Sequence, residues 1–76
     1  MLDEPVGDDS RSERHRKAAH SHDLAAARHD TAADFWTDRE DDRRADLERR
    51  NARIERDAAQ LERDRADLEE EAATDS

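Results

Sequence analysis

A seven-residue beat governs this chain: His15, His22, His29 and Trp36 lie seven apart, and so do Leu47, Ile54, Leu61 and Leu68. Seven residues make almost two turns of an α-helix, so each set lines up as a stripe along one side. A helix bearing such a stripe covers it only by meeting another helix. The beat therefore predicts an all-α protein whose chemistry is association.

The residues between the stripes support helix. Ala, Arg, Glu and Leu are strong helix formers, and the single Pro and single Gly, Pro5 and Gly7, stand near the start of the chain. Ser10 and Glu13 have the spacing of a capping box, which places a helix start near residue 11. No breaker follows until about residue 72, and roughly 60 residues at ~1.5 Å each would make a rod of about 90 Å. The leading expectation is one long, straight or kinked, heptad-patterned helix of coiled-coil type. The alternative is a two-helix antiparallel hairpin with a turn near residues 36–38. Thr37 and Glu40 repeat the capping-box spacing, and Asp38, Asp41 and Asp42 suit the positive end of a new helix. Against the hairpin stands the lack of a Gly to end the first helix. If it forms, the His/Ala face of residues 11–36 is expected to pack on the Leu face of residues 38–72.

Four regions follow: a flexible acidic tail over residues 1–9, a His/Ala helix over 10–36, a leucine-zipper-like helix over 37–72 and a disordered acidic tail over 73–76. The first helix repeats His-x-x-Ala-Ala three times, ending at Ala18–Ala19, Ala25–Ala26 and Ala32–Ala33. Small side chains there let a neighbouring backbone come close. In the second helix Arg44, Asn51, Ala58 and Arg65 take the other seam position when the leucines are counted as d, and an Asn at such a position can fix register. Glu48, Glu55, Glu62 and Glu69 follow the leucines. In a parallel, in-register homodimer Arg43 and Arg50 would meet Glu48 and Glu55. Asp57 and Asp64, however, would meet Glu62 and Glu69, so half the flank repels. That pattern favours antiparallel pairing or a different partner.

Composition narrows the function. Only ten side chains larger than Ala are apolar (Met1, Leu2, Val6, Leu24, Phe35, Trp36, Leu47, Ile54, Leu61, Leu68), too few for a private globular core. With 49% charged residues the chain approaches disordered composition, and its helix formers argue for helix gained on association. The net charge of −9 sits in the two ends, while residues 10–68 carry fifteen acids against fourteen bases. Nucleic acid binding needs clustered Lys and Arg, and the one cluster, Arg11, Arg14, Arg16 and Lys17, is diluted by Glu13. The expected partner is protein, a second copy or something larger, and not nucleic acid. No stretch approaches the ~20 apolar residues that span a bilayer, and the acidic N-terminus does not resemble a signal peptide. No membrane contact and a cytoplasmic location are expected.

Candidate chemistry is sparse. His15, His22 and His29 are about 10.5 Å apart along a helix, too far for one chain to chelate a metal. As a stripe facing a partner they would gain charge near pH 6 and loosen the seam. There is no phosphate-cradling Gly loop and no His-Glu-x-x-His pattern, and Ser10, Ser12, Ser21 and Ser76 lack a nucleophile's setting. No enzyme, cofactor or metal is expected. Phe35 and Trp36 read as anchors of a turn or core, or as a docking hot spot. The expected interface is Leu47, Asn51, Ile54, Ala58, Leu61, Leu68, Phe35 and Trp36. The leading function is a self-associating structural or adaptor element. The alternatives are a small regulatory or accessory subunit that folds on a larger protein, and a charged single-helix spacer.

Overall fold

The computed structural model describes the backbone of residues 8–75 and the side chains of residues 11–74. Two helices, α1 (Asp8–Asp38) and α2 (Asp42–Asp75), pack antiparallel along nearly their whole length. The continuous rod is not formed. The chain doubles back, and the Cα trace spans 56 × 28 × 10 Å where a single helix would run to about 90 Å. Ser10 lies inside α1, so its spacing to Glu13 does not mark the helix start; its side chain falls outside the described residues. Among the residues assigned to tails, 8–9 and 73–75 are helical, and 1–7 and 76 lie outside the described residues.

The turn occupies residues 39–41, three beyond the expected 36–38, and Glu40 solves the missing-glycine problem. Its φ of 60° is left-handed, the conformation in which a helix terminates most economically. The Glu40 amide donates to the Thr37 carbonyl at 2.9 Å, and the Asp41 amide donates to the Trp36 carbonyl at 2.9 Å. This crossed pair satisfies carbonyls left open at the end of α1. Asp41 then caps α2: its carboxylate accepts from the Arg44 amide at 3.1 Å and from the Arg44 guanidinium at 2.6 Å. Thr37 therefore does not start a helix. It belongs to the last turn of α1, where its hydroxyl accepts from Arg49 at 2.8 Å. A side chain in the left-handed region costs roughly 1–2 kcal/mol relative to the right-handed one. Glu40→Gly is expected to stabilise the hairpin by about 1 kcal/mol and to raise its melting temperature by several degrees; an unchanged or lower melting temperature in a thermal circular-dichroism scan would count against this account of the turn.

The seam between the helices is made of methyl groups. Ala19, Ala26 and Ala33 of α1 and Ala45, Ala52, Ala59 and Ala66 of α2 are all 2% exposed or less, and Ser12 continues the α1 row at 4%. This corrects the expectation that the Leu face packs on α1. Each large aliphatic of α2 lies two residues after a seam Ala, about 200° further round the helix, and so points away from α1. Alanine at the contact lets two helix axes approach closely, so that dispersion between backbones replaces interdigitated large side chains.

Candidate functional site

Beside the alanine seam run two polar ladders that position everything else. On one flank the imidazole Nδ1 of His15, His22 and His29 donates to Glu62, Glu55 and Glu48, each at 2.6 Å, and Arg11 pairs with Glu69 at 3.6 Å. On the other, Arg63 pairs with Asp23, Arg56 with Asp30, and Arg16 with Glu70 at 2.8 Å. The His beat of α1 thus meets the Glu beat of α2 running the other way. The His15 hydrogen bond, aided by Arg65, holds the Glu62 carboxyl below its usual range. The Arg56 guanidinium does the same for Asp30, and the Arg44 amide and guanidinium do so for Asp41. Such exposed pairs contribute modestly one by one. Their repetition selects which flank of α1 faces which flank of α2.

This placement changes the reading of the histidine stripe. The three imidazoles face carboxylates of their own chain, so a positive charge on any of them is met by a negative one. The loosening expected from the sequence does not fit that geometry. Among the described residues, no group of three His, Cys, Asp or Glu side chains is placed to hold a metal ion.

At the turn Phe35 and Trp36 pack edge to face, with ring centroids 5.0 Å apart and planes at 85°. Arg39 lies 3.5 Å over the Phe35 ring and Arg44 4.9 Å over the Trp36 ring. Arg39 also donates to the Phe35 carbonyl at 3.3 Å, covering the end of α1. Phe35 remains 45% exposed and Trp36 is half-buried. These two candidates are brought together beside the Asp41 cap, where they brace the turn.

The remaining interface candidates form a second surface. Leu47 is 57% exposed, Ile54 63%, Leu61 50% and Leu68 64%. By helical rise the row is about 32 Å long. Asn51 is exposed and Ala58 half-buried between the row and the His–Glu ladder. Sequence reasoning missed the alanines of α2. The signal was available, since Ala45, Ala52, Ala59 and Ala66 also lie seven apart, but larger aliphatics keeping the same beat drew the seam to themselves.

Comparison with protein-family models, with curated proteins and with solved structures finds no match to this chain. Among the described residues no helix is long and apolar enough to cross a membrane.

Proposed function

We propose that this chain is a non-catalytic helical interaction protein, a structural or adaptor element that self-associates through a coiled-coil seam on the outer side of α2. One observation carries the reading. The alanines bring the two helices together, so Leu47, Ile54, Leu61 and Leu68 are not consumed by the hairpin and stand in line at 50–64% exposure. A regularly spaced apolar row on so charged a surface is the kind of patch that associates. The single-helix spacer is less well supported, because a chain that doubles back gives up much of its reach. The acidic balance favours protein over nucleic acid, and a cytoplasmic setting accompanies the proposal.

The test is Ile54→Glu combined with Leu61→Glu. Burying one such aliphatic contributes roughly 1.5–3 kcal/mol, so this double variant is expected to weaken association at least ~100-fold while keeping the helicity of the hairpin, whose seam it does not touch. Sedimentation equilibrium supplies the mass and circular dichroism the helicity. A wild-type chain that stays monomeric at hundreds of micromolar, or a double variant that associates as well as wild type, overturns the proposal.

A further inference from the structure

Building on self-association through this row, we infer that its occupant is α2 of a second copy running antiparallel, in a register chosen by a charge gradient along the edge of the row away from α1. That edge carries Arg43, Arg50, Asp57 and Asp64, each four residues before one of Leu47, Ile54, Leu61 and Leu68. The order is two positive charges followed by two negative ones. Among the described residues Arg43, Arg50 and Asp57 form no ion pair within the chain, and Asp64 accepts a hydrogen bond from Gln60 at 3.0 Å. Turned antiparallel, a second α2 lays its negative half along the positive half of the first, and the reverse pairing follows by symmetry. With Ile54 beside Ala58 of the second copy, Arg50 stands nearest its Asp64 and Arg43 nearest its Glu71, both attractive, while Asp57 meets its own counterpart at the two-fold axis.

The seam itself agrees. Antiparallel pairing sets Ile54 beside Ala58 of the second copy and Leu61 beside its Asn51. At the ends Leu47 meets Arg65 and Leu68 meets Arg44, whose methylene stems can lie along the leucines with the guanidinium in water. A parallel in-register pair instead brings Arg44 onto Arg44 and Arg65 onto Arg65, and sets Asp57 and Asp64 against Glu62 and Glu69. Its gains, Asn51 against Asn51 and Arg43 and Arg50 against Glu48 and Glu55, are set against four kinds of like-charge contact, two of them at the seam positions themselves. On the edge nearer α1 the two copies would bring Glu48, Glu55, Glu62 and Glu69 to the same side. Those carboxylates are already turned onto their own α1 by His29, His22, His15 and Arg11. Preformed pairing inside each hairpin thus reduces the repulsion between hairpins.

Charge reversal tests orientation without altering the apolar row. One variant carries Asp57→Arg and Asp64→Arg, and another carries Arg43→Asp and Arg50→Asp. Each alone is expected to self-associate at least about tenfold more weakly than wild type, since the two symmetry-related Arg50–Asp64 encounters become repulsive in both variants. An equimolar mixture of the two is expected to regain wild-type affinity or better as a heterodimer, read by sedimentation velocity with one partner fluorescently labelled. Two results overturn the inference: the Asp57→Arg, Asp64→Arg variant associating as tightly as wild type or tighter, which is the parallel outcome because its new arginines would meet Glu62 and Glu69, or a mixture that shows no recovery. If reversal has no effect while Ile54→Glu with Leu61→Glu abolishes association, the orientation fails and self-association stands. If the glutamate variant also associates normally, both fail.

Discussion

Ala52→Leu is expected to open the hairpin. Ala52 is 1% exposed at the centre of the methyl seam, and the space between the helices there admits a methyl group and little more. A Leu at this position must push the axes apart or leave its rotamer well, at about 1–3 kcal/mol, and the displacement spreads to Ala45 and Ala59 on either side because the contact is a rigid line. With no large side chain fully buried among the described residues, the hairpin has little stability in reserve, so helicity at 25 °C is expected to fall sharply. Leu and Ala have similar helix propensity, which keeps local preference from explaining the loss. Leu is also the more apolar residue. Were α2 facing α1 with its leucine row, the substitution would be neutral or stabilising, and a raised melting temperature would refute the alanine seam.

Acid is expected to dismantle the hairpin by a separate route. Glu62, Asp30 and Asp41 all have folded-state values depressed below those of the free groups, 4.5 for Glu and 3.8 for Asp. A depressed carboxylate contributes stability that is fully present above its unfolded value and is lost as the pH falls through the folded one. The melting temperature should therefore hold above about pH 5 and decline steadily below about pH 4.5. As Glu62 takes up its proton it loses its charge-assisted bond with His15 and its pairing with Arg65. Asp30 similarly releases Arg56, and Asp41 gives up the Arg44 amide at the start of α2. Protonation also leaves the 14 Lys and Arg charges without the carboxylates that balance them, so the chain as a whole becomes strongly positive. Melts followed by circular dichroism from pH 7 to pH 2.5 check this, and a flat profile to pH 3 would show that the ladders contribute nothing.

What was readable in advance was periodicity, and what was not was phase. The beat at His15, His22 and His29 placed those residues on one line of α1, and the His-x-x-Ala-Ala repeat placed small residues beside it where the seam runs. In α2 two rows share the same spacing, Leu47 to Leu68 and Ala45 to Ala66, separated by about half a helical circumference. Hydrophobicity alone assigns the larger row to the interior. The structure assigns the smaller one, because polar partners in matched order flank the alanines, His against Glu on one side and Arg against Asp on the other. That matching is visible only once the second helix is laid antiparallel to the first. The turn was expected near residues 36–38 and lies three residues on; its exact place was not legible because its left-handed residue is Glu40, and nothing in a glutamate announces that conformation. The outer row of leucines was named as an interface from spacing alone, and the fold leaves those residues exposed.

Every tooth of the methyl seam is the same, so nothing in it says how far along one helix the other should stand. A slide by one seven-residue step would bring His15 to Glu55 and His22 to Glu48, while His29 would lose its glutamate and Arg16 would face Arg63 in place of Glu70. Alignment is therefore set by the three residues joining the helices together with the ladders, and the joint acts as a stop on a toothed rack. Severed there, the two halves would have only the ladders to keep them from slipping from one notch to the next.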